Sequence, residues 1–277
     1  MYTKKSVDAV LKKNLLRGPY FPGHGDNRMN NEGEVLTTRE RFLKRRFRNL
    51  DVLLKSRYEW MNQYLHEGQS IVEIGAGAGF SPLYLKCRPV LTDAVEKPWL
   101  DRYLDATNMA LESASVDVLI ASHNIHHFYS PYKFFEQCAR ILKPGGVLLV
   151  QELNTSLLMR ILLRGMRHEG WSYNVNVFDR EAIVNDMNDL WSANCAVPEL
   201  LFENSARFHE CFPQLSVERN ELCECLIFPL SGGVIAKTPV PELPLFLLNL
   251  VLRWDRWLVS VAPRLLALGR RVVIRKR

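Results

Sequence analysis

The glycine-rich segment VEIGAGAGF, residues 72–80, has the spacing that most clearly points to ligand binding. A short apolar run precedes Gly75, Gly77 and Gly79. Glycines at a strand-to-helix turn let a ligand approach the backbone at the carboxyl edge of a parallel sheet. A dinucleotide fingerprint would require a small residue where this chain has Phe80, and no Gly-Lys-Ser/Thr follows for a phosphate loop. The segment therefore indicates a nucleotide cradle and disfavours a pyrophosphate.

Three histidines lie further along the chain, in ASHNIHHF at residues 121–128. His123, His126 and His127 follow an apolar run that we predict to be a strand. That placement puts them at the edge of the sheet where open α/β folds bind ligands. Histidine titrates near neutral pH and is a natural general base for removing a proton from an alcohol.

The elements that must position these residues divide the chain into four stretches. Residues 1–68 are basic and broadly helical. Residues 69–152 alternate short apolar runs with helical segments, including a helix that should begin near Ser81, and this alternation indicates a parallel sheet. Residues 153–242 are less regular and rich in Asn, Trp, Phe and Asp, and residues 243–277 form a tail that is first apolar and then basic.

The pattern Glu73-x-Gly75-x-Gly77-x-Gly79 resembles the first motif of class I S-adenosylmethionine-dependent methyltransferases of the type 11 kind. The likeness spans about residues 69–152 and includes LKPGGVLLVQE at 142–152. It implies an α/β, Rossmann-like fold: a seven-stranded, mostly parallel sheet with helices on both faces. Around it we expect a basic helical N-terminal extension, an acceptor-side insertion and the C-terminal tail. The implied cofactor is S-adenosyl-L-methionine.

The resemblance also assigns the cofactor-binding residues. Asp93 ends the second strand, where the family places a carboxylate against the ribose hydroxyls, and Asp105 would contact the adenine amino group. The complete implied set is Glu73, Gly75, Gly77, Gly79, Asp93, Asp105, Ala106 and His123. Only eleven residues separate Asp93 from Asp105, too few for the usual helix, so we expect a loop or single turn there, with Trp99 as a candidate wall for the adenine.

Catalytic roles follow from the same resemblance. Similar enzymes that O-methylate sugars pair one such histidine with a carboxylate at the end of strand five, here Glu152. We therefore predict His126, His127 and Glu152 as the catalytic residues, with no metal required. In other relatives the histidine pair only packs and caps the next helix, and that alternative stays open.

Residues 153–242 are predicted to form the acceptor side. Aromatic faces together with amides suit a hydroxylated ligand such as a sugar, and the acceptor-binding candidates are Asn154, His168, Trp171, Tyr173 and Asn194. The alternative is that the aromatic residues form the core of a lid. Residues 214–222 and 223–233 are predicted to be two antiparallel strands that complete the sheet.

The expected reaction is methyl transfer to a hydroxyl group of a small molecule or of a glycan sugar, which could be lipid-linked. The whole chain is loosely similar to methyltransferases of surface-polysaccharide pathways. Two alternatives remain: C- or O-methylation of a quinone or other lipid, and a catalytically silent binding subunit with the same fold.

Composition and charge set the remaining limits. With 277 residues, 47% hydrophobic and 24% charged, the chain can bury a large core. Residues 1–60 carry a net charge of +7, residues 61–252 carry −8 and residues 253–277 carry +7. The six cysteines lack metal-ligand spacing, so we expect thiols in a reducing compartment. The first residues do not resemble a secretory signal, and we expect a cytoplasmic protein.

The C-terminal tail, residues 243–277, raises a separate question about partners. Trp254 and Trp257 stand beside Arg253 and Arg256 in an apolar segment that is too short to cross a bilayer. Such a helix fits the surface of an anionic membrane, which would make the protein peripheral at the inner face. Alternatively the segment packs on the domain or on a partner. Nucleic acid is not expected as a partner, because the predicted sheet domain is acidic, and the sequence leaves the oligomeric state open.

Overall fold

The computed structural model describes residues 18–22, 34–167, 169–189, 192–234 and 240–277. Seven strands form one sheet: β1 (Ile71–Ile74), β2 (Val90–Asp93), β3 (Arg102–Tyr103), β4 (Val116–Ser122), β5 (Leu142–Leu153), β6 (Leu215–Cys223) and β7 (Gly269–Lys276). Their order is β3-β2-β1-β4-β5-β7-β6. The first five strands run parallel, and β7 lies antiparallel between β5 and β6. The predicted seven-stranded, mostly parallel sheet is confirmed.

Helices cover both faces of the sheet, as predicted. They are α1 (Glu34–Arg45), α2 (Arg48–Tyr58), α3 (Pro131–Ile141), α4 (Leu157–Met166), α5 (Val197–Phe202), α6 (Ser205–Cys211), α7 (Ile227–Leu230), α8 (Leu245–Val261) and α9 (Pro263–Leu266). Short 3₁₀ turns occupy Glu59–Tyr64, Ser81–Leu83 and Ile125–His127.

The central strand β4 explains why its sequence reads as an unbroken apolar run. Leu119 and Ala121 point into the apolar layer of α3, α5 and α6, whereas Val118 and Ile120 point into the layer of α1, α2 and α8. All four side chains are completely buried. Because successive residues of a strand face opposite sides, a strand covered on both faces must be apolar throughout.

The connections that follow β1 and β2 are short. The helix expected near Ser81 is one 3₁₀ turn, Ser81–Leu83. No helix lies between β2 and β3, as the eleven-residue spacing predicted. The glycine turn after β1 and the segment after β2 therefore lie close together without a helix between them.

Strand β7 comes from the residues that the sequence assigned to an apolar-basic tail. Val272, Val273 and Ile274 are completely buried between the two apolar layers. Arg270 is also buried, and its guanidinium donates to Asn154, Glu203 and Asn220. Three consecutive buried apolar residues and a buried, hydrogen-bonded arginine thus make a sheet strand out of a segment whose composition resembles a tail.

The strand predicted for residues 223–233 is wrong, although β6 confirms the one predicted for 214–222. The partner of β6 is β7, and residues 227–230 form helix α7. Glu224 has a left-handed φ of 56°, which ends the strand. The Asp255 carboxylate then accepts the N–H groups of residues 225, 226 and 227, at 2.7 to 3.2 Å, and this caps α7. Within the described residues no helix is long and apolar enough to cross a bilayer.

Candidate active site

The glycine turn after β1 opens onto a cavity at the carboxyl edge of the sheet. Gly75, Gly77 and Gly79 have φ values of 61°, 52° and 64°. A Cβ atom on Gly75 would lie 2.8 Å from the Asn124 amide nitrogen, and one on Gly79 would lie 2.7 Å from the Trp99 ring. A Cβ on Gly77 would meet no atom within 4 Å. Gly77 is thus the glycine that keeps the space open for a ligand.

The cavity joins the glycine turn to the histidine segment. Residues 75–78 and Phe80 line one side, and Ser122, His123, His126 and His127 line the next. Apolar side chains of α4 and its surroundings form much of the remaining wall, including Met159, Leu163, Met166, Leu153 and Phe228. The cavity therefore combines a polar end with an apolar wall.

Glu73 lies beneath the turn and is not among the cavity-lining residues. It is buried, accepts a hydrogen bond from the Ser81 hydroxyl and lies 3.4 Å from the Tyr58 hydroxyl. Burial raises the pKa of Glu73 to about 7, although both hydrogen bonds act to lower it. The structure therefore gives this carboxyl contacts that brace the turn from below.

Asp93 ties the end of β2 to the glycine turn. Its Oδ2 atom accepts the N–H of Gly77 at 2.9 Å and lies 3.0 Å from Lys97 Nζ. Trp99 adds a second link, because its Nε1–H donates to the Gly77 carbonyl at 2.9 Å. Lys97 would have to turn away before a ribose hydroxyl could approach that oxygen of Asp93.

Asp105 and Ala106 lie beyond the cavity wall. The Asp105 carboxylate accepts the N–H and the hydroxyl of Thr107, both at 2.8 Å, and Ala106 is buried. Neither lines the same cavity as the glycine turn and the histidines. In this structure the Asp105 side chain stabilises a local turn with Thr107.

His123 lies next to the glycine turn in a strained backbone conformation, with φ at 54°. Its backbone N–H donates to the Gln151 carbonyl, which holds the segment against β5. The buried Nε2 atom has no hydrogen-bond partner among the described residues. Burial, followed by the charge of Arg57, lowers the pKa of His123 well below its ordinary value, so the ring is neutral.

His126 and Glu152 form a buried hydrogen-bonded pair, as the sequence placed them. Glu152 Oε1 accepts the N–H groups of Asn124 and Ile125, and Oε2 accepts that of Leu153. The same Oε2 lies 2.7 Å from His126 Nδ1. Burial acts to lower the pKa of His126, but the charges and hydrogen bonds of Glu152 and Glu169 outweigh it and raise the pKa to about 10. The ring is therefore an imidazolium at neutral pH.

His127 has the opposite protonation state. Its Nδ1 atom lies 3.1 Å from the Ser192 carbonyl, which must accept a proton from it, so the lone pair is on Nε2. Burial and the neighbouring His126 cation lower the pKa of His127 to about 4. The two rings are 4.3 Å apart between centroids. A cationic and a neutral histidine thus lie side by side at the polar end of the cavity.

Glu169, which the sequence did not single out, completes this cluster. Its carboxylate lies 3.7 Å from the Nε2 atoms of both His126 and His127. The ligand atoms of these three residues fall within 4.8 Å of one another, so the set could also hold a divalent metal ion, which the sequence did not predict. Glu169 follows α4 in MRHEGWSY. Its role can be recognised only in the folded structure, where it lies against the two histidines.

The described members of the predicted acceptor-binding set do not line the cavity. Asn154 and Asn194 are buried and bonded to protein groups, Asn154 to the Ala267 carbonyl and Arg270, and Asn194 to the backbone of Ser172. Trp171 is completely buried in a small apolar cluster, and the Tyr173 hydroxyl donates to Glu199. His168 lies outside the described residues. The described members of this set make the structural contacts of a packed lid.

A buried ion pair on the α2 side of the cavity was also missed. Arg57 donates from Nε and Nη2 to the two carboxylate oxygens of Glu224, at 2.9 and 2.7 Å. Arg57 lines the cavity together with Leu54 and Tyr58. The sequence did not identify this pair, because the two residues are 167 positions apart.

Comparison with known proteins finds one matching family and similar solved structures. A family described as "Methyltransferase domain" matches residues 72–150. The structure of a SAM-dependent methyltransferase from Archaeoglobus fulgidus is 16% identical, with 85% of this chain and 98% of that chain covered and a TM-score of 0.48. One from Mesorhizobium loti is 13% identical, with 80% and 100% covered and a TM-score of 0.43. No curated protein matches. Over residues 72–150 the chain is thus similar to a methyltransferase domain.

Proposed function

We propose that the protein transfers a methyl group from S-adenosylmethionine to a hydroxyl oxygen of a small amphiphilic acceptor. The observation that carries this proposal is that the glycine turn and the cluster of His126, His127 and Glu169 line one cavity. A cofactor site and groups able to handle a proton are therefore next to each other.

The residues around the glycine turn suit the cofactor. The open space above Gly77 admits a ligand to the backbone, and Ser122 and His123 close the side towards β4. S-adenosylmethionine, when bound, supplies an electrophilic methyl group. The protein then has to orient the acceptor oxygen and exclude water, and orientation by itself contributes much of the rate enhancement.

His127 is the residue that we assign as the general base. It is neutral at neutral pH, its Nε2 lone pair is available, and its side chain is 22% exposed against 2% for His126. An acceptor can therefore reach it from the cavity. The Glu169 carboxylate, 3.7 Å away, would stabilise the His127 cation once it holds the proton.

His126 acts on the acceptor oxygen through its positive charge, and Glu152 holds His126 in position. The His126 imidazolium is fixed by Glu152 and is one of the residues that line the cavity, with its Nε2 atom 3.7 Å from Glu169. A fixed cation beside an oxygen that loses its proton stabilises the developing negative charge. Glu152 is a positioning residue, because it contacts His126 and backbone groups rather than the cavity.

The apolar wall of the cavity indicates the kind of acceptor that it would bind. Met159, Leu163 and Met166 offer an apolar surface, while the described residues among those that suggested a sugar-binding lid are engaged in packing. This favours a hydroxylated group carried on a lipid, such as the sugar of a lipid-linked glycan precursor, over a free sugar. The same wall favours methylation of a quinone or other lipid as the second candidate.

Isothermal titration calorimetry with S-adenosylmethionine and S-adenosylhomocysteine tests the cofactor site. We expect both to bind the wild type and neither to bind Gly77→Arg, whose side chain would occupy the cavity. Gly68→Arg is the matched control, because Gly68 also has positive φ and open space around its Cβ position but is not among the cavity-lining residues. Equal affinity of the wild type and Gly77→Arg would overturn the assignment of the cavity.

Turnover is then measured with labelled methyl donor, lipid-linked sugars and reduced quinones. Transfer to a hydroxyl oxygen supports the proposal, and transfer to carbon or nitrogen contradicts it. A folded protein that binds neither cofactor form would instead be a binding subunit with a methyltransferase-like fold.

A further inference from the structure

Helix α8 packs on the protein by one narrow face. Leu248, Asp255 and Val259 are its buried residues, and spacings of seven and four place them on one side of the helix. Asp255 is fixed further, because it accepts three backbone N–H groups of residues 225–227. These contacts set the rotation of α8 about its axis and therefore which residues face outward.

The opposite face of α8 is apolar and exposed. Its large side chains follow a helical spacing of four, four, three and four residues and are 47% to 71% exposed: Phe246, Leu250, Trp254, Trp257 and Val261. The rings of Trp254 and Trp257 touch edge to face, 5.3 Å apart. Leu265 of α9, 53% exposed, extends the surface. An ordinary surface helix would present polar residues here, so this outward face is a candidate interaction surface.

The exposed charged residues of α8 and α9 are all positive. Arg253 and Arg256 of α8 and Arg264 of α9 are exposed. Residues 245–266, all described, contain one acidic side chain, Asp255, and it is buried beneath the helix. The partner that fits must therefore be apolar inside and negatively charged at its surface.

We propose that the outward face of α8 and α9 binds the surface of an anionic phospholipid bilayer. Tryptophans and large aliphatic side chains enter the boundary between headgroups and acyl chains, and flanking arginines pair with anionic headgroups. At 17 residues α8 is too short to cross the bilayer, so the helix lies in the plane of the interface.

Helix α4 connects the region of this surface with the cavity. Leu158 of α4 packs in one apolar cluster with Val259, Leu266 and Ala267, and Met159 and Leu163 of the same helix line the cavity. Helix α4 thus separates the cavity from the membrane-binding face. The inference about membrane binding goes beyond the proposed methyl transfer and does not depend on it.

Flotation of the full-length protein with lipid vesicles tests the proposal. We expect binding to vesicles of phosphatidylglycerol, little binding to vesicles of phosphatidylcholine, and weaker binding as salt is raised, because salt screens the arginines. A blue shift of tryptophan fluorescence should accompany binding. Replacing both Arg253 and Arg256 by Gln should weaken binding about tenfold or more, since each basic residue near the surface contributes roughly a fivefold change in affinity.

The variant Trp254→Ser combined with Trp257→Ser should lose binding while its thermal melting stays unchanged, since both side chains are exposed. Ile183→Ser is the matched control: it removes a side chain that is 61% exposed but is not on α8 or α9. Equal binding to both lipids, no binding to either, or self-association in solution that the tryptophan variant abolishes would each overturn the proposal. The last result would make a second copy of the chain the partner.

Discussion

The Nδ1 atom of His126 lies 2.7 Å from the Oε2 atom of Glu152, and the two side chains are 2% and 0% exposed. Glu152 reaches this position at the end of β5, where three backbone N–H groups also hold its oxygens. A buried carboxylate with this many donors stays ionised, and its charge keeps a proton on His126. Burial and the His126 cation together keep the neighbouring His127 neutral, so Glu152 influences the protonation of both rings.

The first prediction concerns His127. His127→Ala should lower kcat at least about 100-fold, the low end for loss of a general base, and should leave the dissociation constant of S-adenosylmethionine unchanged. Single-turnover kinetics and calorimetry measure the two quantities. His66→Ala, at an exposed histidine outside the cavity, is the control and should behave as wild type. Full activity of His127→Ala would show that the base is another residue.

A second prediction concerns Glu152 and pH. Because the pKa of His127 is about 4, kcat/KM of the wild type should not decline until the pH falls towards that value. Glu152→Gln removes the largest of the contributions that raise the pKa of His126, so this pKa falls and the repulsion of a proton on His127 weakens. The pKa of His127 then rises, and the acid limb of the kcat/KM profile should move to higher pH.

The pH profile separates this role from a structural one. A variant that only loosened the fold would lower activity at all pH values without moving the acid limb. An unmoved limb in Glu152→Gln, with thermal melting and cofactor affinity near those of the wild type, would contradict the coupling between Glu152 and the two histidines.

Much of this site could be predicted from the sequence because it depends on topology. Strands β1, β4 and β5 are parallel neighbours, so the residues at their carboxyl ends meet at one edge of the sheet. That rule brings Gly77, His126 and Glu152 together although they are far apart along the chain. The local signals, a glycine turn and a histidine pair after apolar runs, were strong enough to place each strand.

The missed features depend on contacts between distant residues. Asp255 caps α7 from about 30 residues away, so LIFPL forms a helix despite its apolar, strand-like sequence. Arg270 is buried in β7 by partners on three other segments, and by composition alone it was part of a basic tail. Trp171 shows the same limit, because residue type cannot distinguish a lid's core from a ligand-binding wall.

A third prediction distinguishes proton transfer from metal chemistry in the cluster of His126, His127 and Glu169. Because the proposal places a proton on His126 Nε2, treatment with EDTA should leave kcat unchanged, and added Mg²⁺ or Zn²⁺ should not raise it. Activity is measured before and after chelation and gel filtration. Loss of activity on chelation with recovery by one of these ions would make the three residues metal ligands and would replace His127 as the base.

The fourth prediction uses the buried carboxyl of Glu73 as a probe of the glycine turn. The pKa of Glu73 is about 7 in the folded protein, against the usual value of 4.5 that is taken for the unfolded chain. The folded protein therefore binds this proton more tightly than the unfolded chain does. The contribution of this proton to the free energy of unfolding is therefore fully present below pH 4.5 and is lost as the pH rises through 7. Glu73→Gln keeps a neutral side chain of the same shape, so its stability relative to wild type should increase across this interval by up to roughly 3 kcal/mol.

Urea unfolding at several pH values between 4.5 and 8 measures this difference. Glu112→Gln, which removes an exposed carboxyl, is the control and should show little change with pH. A free-energy difference between Glu73→Gln and wild type that stays constant with pH would mean that Glu73 is ionised in the folded protein throughout. In that case the contacts with Ser81 and Tyr58 would stabilise a charge beneath the cofactor site, rather than a neutral carboxyl that braces the turn.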